Sequence, residues 1–396
     1  MERKQAIVHD APLPRQYSQD LLVFDHGSGV HLYDVAGNGY LDFGAGIAVN
    51  ALGYGREDLA EIAASQMRKL VHTSNLFTSE PTLKLVAMLK ATGNFQAVHL
   101  GNSGTEANEA ALKYARLYSH RKKGPGKSKY LCLEGAFHGR TMGALSVTPT
   151  AHYQEPFAPL VPGVVVAPFN DPEHLTRVLD DTFAGVIVEV VQGEGGLRVM
   201  TREFARALNE ACARYDVILI ADEVQTGLGR TGYRYASEWI GLEPDIITLA
   251  KPLGGGLPLS ATLIPEKINA LLKSGDHGST FGGGPVQAAV SAKVLEIVLD
   301  SAFLEEVRAK AEVLDAGLKQ LAERSDSIHE LRGQGMLRGI VIDPGRGNAA
   351  DLIAKARDNG LVILRSGANV LRIAPPLVIT PEQIEEGVAI LEAILA

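Results

Sequence analysis

Cysteine and tryptophan are scarce in this sequence: two cysteines, Cys132 and Cys212, and one tryptophan in 396 residues. Both cysteines lie among apolar neighbours, which suits inert core thiols and offers no pattern for a disulfide framework or a zinc site. His72, His138 and His277 have no metal-type spacing to Cys or Glu and read as structural, so no metal is expected. No apolar run is long enough to cross a bilayer. The polar opening stretch Met1–Asp20, with Pro12 and Pro14, lacks a signal-peptide core, and a reducing cytoplasm is the expected compartment. Basic charge is not in excess either. The net charge is −8 with no concentrated basic face, which argues against a nucleic-acid partner. Repeats and low-complexity segments are also missing.

What is present is ordinary for a soluble enzyme: 46% hydrophobic and 21% charged residues. The length implies two domains. Val30–Asp34, the turn Gly37-Asn38-Gly39 and Tyr40–Phe43 predict a hairpin. Glycines 44, 46, 53 and 55 mark an irregular stretch. Helical spacing covers 59–70 and 80–91. From residue 97 strand, loop and helix alternate, with strands at 97–100, 130–133, 164–166, 184–189, 217–221 and 246–250 and a helix over 203–215. That alternation predicts an α/β domain with a mostly parallel sheet, whose ligands bind beyond the carboxyl ends of the strands. After residue 286 come long helices at 286–299 and 304–322. Strands at 336–342, 361–364 and 370–373 follow, with a helix at 349–358 and a last one from Pro381. This reads as a small α+β domain.

The chemistry centres on Lys251. It follows the apolar run Ile246–Ala250 and precedes Pro252-Leu253-Gly254-Gly255-Gly256, so it stands where a buried strand ends. A lone lysine there is usually solvated. In a partly dry site it is instead a nucleophile toward carbonyls. A second apolar run, Val217–Ala221, ends in Asp222-Glu223. A lysine and an acid at two strand tips suit a Schiff-base cofactor such as pyridoxal phosphate, whose aldehyde needs the amine and whose ring nitrogen needs the acid. Gly101–Glu106 follows a strand and opens a helix, which makes either a phosphate seat or a capping turn. It lacks the lysine of a nucleotide P-loop. Gly227–Gly232 matches a dinucleotide fingerprint by letter only: residues 222–226 separate it from the strand, and no clear helix follows. Phe137 suits the cover of an aromatic ring, and Arg140 suits a carboxylate. Arg372, flanked by apolar residues, requires an anionic partner; Glu194, in the loop Gln192–Gly196, is one candidate.

Taken together the chain resembles the class III (ω-amino acid) aminotransferases, a fold-type I pyridoxal-phosphate family. The marks run in order through Gly46–Asn50, Ser74–Phe77, Asn102–Ala110, Phe137–Thr141, Asp222–Arg230, Leu249–Lys251 and Gly278–Gly283. The resemblance implies an α/β fold: a large domain with a mostly parallel sheet of the seven-stranded type, and a small α+β domain. On this reading residues 1–55 form an N-terminal segment packing with the small domain. Residues 56–285 form the large cofactor-binding domain, and 286–396 the small one.

The resemblance also implies roles. Lys251 would carry the cofactor as a Schiff base and then shuttle a proton, and Asp222 would pair with the ring nitrogen. Phe137 and Val224 would cover the two ring faces, and Gln225 would reach the ring hydroxyl. Ser103, Gly104 and Thr105 would hold the phosphate, with Thr280 reaching it from the neighbouring subunit of a homodimer. Arg140 and Ser279 would contact the amino-acid substrate. Arg372 would take the α-carboxylate of glutamate or 2-oxoglutarate, with Glu194 covering it when the ω-amine donor binds. The implied activity is transfer of a terminal amino group from an acylated ornithine, specifically the N-acetyl compound, to 2-oxoglutarate. Ornithine, succinylornithine, carrier-bound lysine or 4-aminobutyrate are alternative donors, and isomerisation or decarboxylation is an alternative chemistry. Three positions depart from the family pattern: Val190 where proline is usual, Gly284 where asparagine is common, and Tyr54 in place of a frequent histidine.

Overall fold

The predicted hairpin opens the structure, a computed structural model that describes residues 22–395. The first 21 residues of the expected N-terminal segment lie outside the described residues. Strands β1 (Phe24–Ser28), β2 (His31–Asp34) and β3 (Gly39–Asp42) run antiparallel in order. The Asp34 carboxylate closes the turn by accepting the amides of Ala36 and Asn38.

The alternating middle of the chain folds as expected. Strands β4 (Ala97–Gly101), β5 (Lys129–Leu133), β6 (Val164–Ala167), β7 (Phe183–Val188), β8 (Ile218–Asp222), β9 (Ile246–Leu249) and β10 (Ser260–Ile264) make one seven-stranded sheet in the order β4-β10-β9-β8-β7-β5-β6. β5 to β9 pair in parallel, whereas β10 is antiparallel to both neighbours. Strand β10 was not anticipated, because its Ser-Ala-Thr start follows a Gly/Pro stretch that resembles loop. β7 and β8 are buried along their whole length, as a sheet covered by helices on both faces requires. One consequence sets up the site. The carboxyl ends of β4, β5, β7, β8 and β9 share one edge, and the loop after β9 returns to β10 at that same edge.

The last third adds β11 (Ile328–Gln334), β12 (Leu337–Ile342), β13 (Leu361–Val362), β14 (Leu364–Ser366) and β15 (Val370–Ile373). β11-β12-β15-β14 form an antiparallel sheet, while β13 joins β3 in parallel. β11, a half-exposed edge strand of mostly polar residues, also escaped the sequence reading, since its pattern carries little apolar signal. Val30, Leu41 and Phe43 share a core with Val307, Leu314, Leu318, Ile340, Leu371 and Leu391. The helix Pro285–Val298 instead buries Ala288, Val294, Leu295 and Val298 in the core of the large sheet. We therefore propose that the last unit begins just after Leu299 and not at residue 286.

Two knots tie these parts together. The first fixes residues 45–48, a left-handed turn in which Ala45, Gly46, Ile47 and Ala48 all have positive φ. Such backbone costs roughly 1–2 kcal/mol for each non-glycine residue. Asp42 holds its entrance, accepting the amides of Gly44 (2.7 Å) and Ala45 (3.0 Å) on one oxygen and the Tyr54 hydroxyl (2.6 Å) on the other. The departure at position 54 thus has a structural use. The second knot is Arg230, which is buried and donates to the carbonyls of Met336 (3.1 Å) and Pro375 (2.6 Å).

Candidate active site

The shared strand edge encloses a cavity of about 480 Å³, a size suited to a cofactor with a small substrate. Its walls include Ser103, Gly104 and Thr105 before and within the helix Gly104–Lys123, and Phe137 to Arg140 after β5. Glu189 and Glu194 follow β7, Asp222, Val224 and Gln225 end β8, and Lys251 follows β9. Ten of the thirteen site residues that the sequence singled out converge here; Ser279, Thr280 and Arg372 do not line the cavity itself.

Asp222 sits at its floor, buried at the tip of β8. One oxygen accepts from His138 Nδ1 (2.7 Å) and Asn108 Nδ2 (2.8 Å), and the other from the Val224 amide (3.0 Å). Asn108 is itself fixed by Thr248, whose hydroxyl donates to Asn108 Oδ1 at 2.8 Å, and by donation to the His138 carbonyl at 2.7 Å. The reading of His138 as merely structural is therefore corrected: it is buried, it lines the cavity, and it orients the carboxylate. The next residue, Glu223, points the other way along the strand and caps the segment at 236–237 through their amides. Only the first acid of the pair faces the site.

Glu189 was not singled out by the sequence. It is buried and accepts from the amides of Phe137 (2.9 Å) and Gly193 (3.0 Å), so it joins the loop carrying Phe137 to the loop carrying Glu194. Burial holds its carboxyl well above the ordinary range; His138 opposes this and Asp222 reinforces it.

Lys251 makes no hydrogen bond or ion pair among the described residues. Removal from water pulls its amine from the ordinary 10.5 down to about 8, and the Arg372 charge adds to this while Glu194, Asp222 and Glu189 oppose it. At pH 8 about half of such amines are unprotonated, against roughly one in three hundred for an ordinary lysine.

Arg372, on β15, is buried behind the cavity wall. Its Nη1 donates to Glu194 Oε1, to the Gly193 carbonyl (3.2 Å) and to Gln225 Oε1 (3.5 Å), while Nε has no partner among the described residues. The expected Arg372–Glu194 pair is present. Arg140 differs: its guanidinium meets no carboxylate among the described residues and lies over the ring of Tyr153 at 3.5 Å. Ser279 accepts from Asn102 Nδ2 (3.4 Å) and the Gly282 amide (3.1 Å). Thr280 is exposed on a separate shallow cleft with His72, Asn75 and Thr82.

These residues fit pyridoxal phosphate. A Cβ on Gly104 would stand 2.7 Å from Val224 Cγ1, so glycine is what keeps the helix entrance open beside the apolar wall. The first amides of a 20-residue helix offer an anion seat. An unpaired amine faces the cavity that Asp222 floors, with Phe137 and Val224 as apolar walls. In the cofactor-free protein, competitive acetylation of Lys251 followed by mass spectrometry should show a midpoint near pH 8. Arg372→Ala should move that midpoint up; a parent midpoint near the ordinary lysine value would refute the desolvated amine.

Similarity to known proteins points to the same family. The family profile aminotransferase class-III matches residues 13–395. The chain is 43% identical over 393 residues to the probable mitochondrial acetylornithine aminotransferase of Dictyostelium discoideum, covering 97% of this chain and 86% of that protein. It is 42% identical over 362 residues to succinylornithine transaminase of Citrobacter koseri, covering 91% and 89%. Among solved structures, an ornithine aminotransferase from Toxoplasma gondii, described with partial occupancy of PLP at its active site, superposes with a TM-score of 0.94 at 30% identity, covering 100% and 94%. The cavity floor, the free amine and these matches have one reading: the chain belongs to the class III aminotransferases, which use pyridoxal 5'-phosphate.

Proposed function

We propose that this enzyme moves the terminal amino group of N2-acetylornithine to 2-oxoglutarate, giving N-acetylglutamate 5-semialdehyde and glutamate, as a step of arginine biosynthesis in the cytoplasm. The observation that carries it is the pair of guanidinium groups at one cavity, of which Arg372 is covered by Glu194 and Arg140 is not. The donor bears its carboxylate far from the reacting amine, so Arg140 receives it while Glu194 stays on Arg372. 2-Oxoglutarate brings a carboxylate next to its reacting carbon, which displaces Glu194 and meets Arg372 as a two-pronged pair. Names of relatives with acetylated and succinylated donors support the substrate class. Succinylornithine is the second reading, since a pocket discriminates a few added methylenes weakly.

The bound cofactor supplies an electron sink that acidifies the substrate C–H beside its nitrogen. The chain's own residues do the rest. Lys251 Nζ accepts that proton and returns it, a task its lowered basicity suits near neutral pH. Asp222, held by His138 and Asn108, would keep a proton on the ring nitrogen. Ser103, Gly104 and Thr105 would seat the phosphate, Phe137 and Val224 would hold the ring between them, and Gln225 would reach its hydroxyl.

A homodimer completes this proposal. Leu76 is 88% exposed, Phe77 74% and Phe281 65%, and Met67, Val71 and Leu83 lie bare with them. A set of large apolar side chains on these segments suits a second copy of the chain. Thr280, which does not line its own cavity, would then serve the phosphate of the partner's site, and Ser279 would contact the substrate.

Three measurements test these points. Purified protein mixed separately with N-acetylornithine, ornithine and 4-aminobutyrate should lose its cofactor absorbance fastest with the acetylated donor; a clear preference for free ornithine would overturn the assignment. Glu194→Ala should slow the N-acetylornithine half-reaction more than the glutamate one, and equal loss in both would remove the covering role. Sedimentation should give twice 42.2 kDa, with Phe77→Asp dissociating; a fully active monomer would exclude shared sites.

A further inference from the structure

Among the described residues Arg140 is a cation without a counter-charge, yet it is not loose. Its guanidinium carbon lies 3.5 Å from the centroid of the Tyr153 ring and 5.4 Å from that of Phe137. A guanidinium flat on one aromatic face keeps its N–H groups in the plane and free for an anion, whereas an ion pair would consume them. Tyr153 is itself fixed. It lies in the short helix Ala151–Gln154, and the neighbouring Gln154 donates from Nε2 to the carbonyls of Leu145 (2.9 Å), Ser146 (3.3 Å) and Thr148 (3.0 Å). The ring also meets Phe137 edge-on at 6.3 Å and His152 at 4.0 Å. Tyr153 does not line the cavity, so substrate contact is not its contribution.

We infer that Tyr153 is a positioning residue that sets the affinity for the donor's carboxylate by holding the Arg140 fork in a receiving pose. The inference rests on the reading of Arg140 as that carboxylate's receptor. An arginine left to swing must lose rotamer freedom each time substrate binds, and the ring removes most of that cost beforehand. The geometry assigns Tyr153 an effect on binding and none on the proton transfer at Lys251, because it touches neither the amine nor the Asp222 network.

The test is a double-mutant cycle in the holoenzyme with N-acetylornithine as donor. Tyr153→Ala should raise KM roughly two- to fivefold, the range of a cation–π contact at an exposed guanidinium, with kcat within twofold. Tyr153→Phe, which keeps the ring, should restore KM. In an Arg140→Ala background, which should raise KM further, the second change to Tyr153→Ala should add nothing. Cofactor affinity of the apoenzyme, followed by fluorescence quenching, should be the same for parent and Tyr153→Ala, excluding a general loosening of the Phe137 loop. An Arg140→Ala defect accompanied by an unchanged KM in Tyr153→Ala would leave the receptor reading intact and sink the inference. An undiminished Tyr153→Ala effect in the Arg140→Ala background, or a Phe variant as poor as Ala, would sink it too. A parent-like KM in Arg140→Ala would remove the receptor reading and the inference with it.

Discussion

Two carboxyl groups buried within reach of one imidazole constrain everything built above them. A lone buried carboxylate is expensive, and two near each other more so. Asp222 is stabilised by three donors, and the second acid, Glu189, yields by holding its proton more tightly. The cost of keeping Asp222 dry is therefore spread over His138, Asn108 and Thr248, which come from a loop, a helix and a strand. Remove that arrangement and the sheet edge has no reason to hold an acid where a heterocyclic nitrogen needs one.

The opposite pole of the cavity follows the same logic with the sign reversed. Lys251 and Arg372 are two cations in a partly dry space, and their repulsion helps to free the amine. Glu194 offsets part of it from the loop after β7, where the amide of its neighbour Gly193 is tied to Glu189. On the proposed reading binding and proton transfer would be linked electrostatically, since uncovering Arg372 would change the field at Lys251 as well as the shape of the site.

Much of this was legible in the sequence, for reasons that are local. A lysine at a strand end before three glycines, an acid closing a buried strand and small residues opening a helix are signals of spacing. The antiparallel β10 was not legible, because a short Ser/Thr-containing run after a Gly/Pro stretch carries no distinct period. Nor were the roles of Asn108, Glu189 and His138. Asn108 lies 114 residues from the carboxylate it orients, and nothing in its neighbourhood announces the contact. His138 was dismissed for want of metal spacing, a test that cannot detect a histidine serving an acid.

Arg230 carries one more consequence. It ties a loop beyond β8 to Met336, just before β12, and to Pro375, just after the strand bearing Arg372, and the Ala374 amide bonds to the Phe43 carbonyl at 2.7 Å close by. The terminal portion of the polypeptide is thereby clasped by the loop after β8 on one side and by the segment following the N-terminal hairpin on the other. A wide hinge movement would tear these bonds, so on the proposed reading alternation between two dissimilar substrates would fall to the Glu194 carboxylate swinging aside, a gate as small as one side chain.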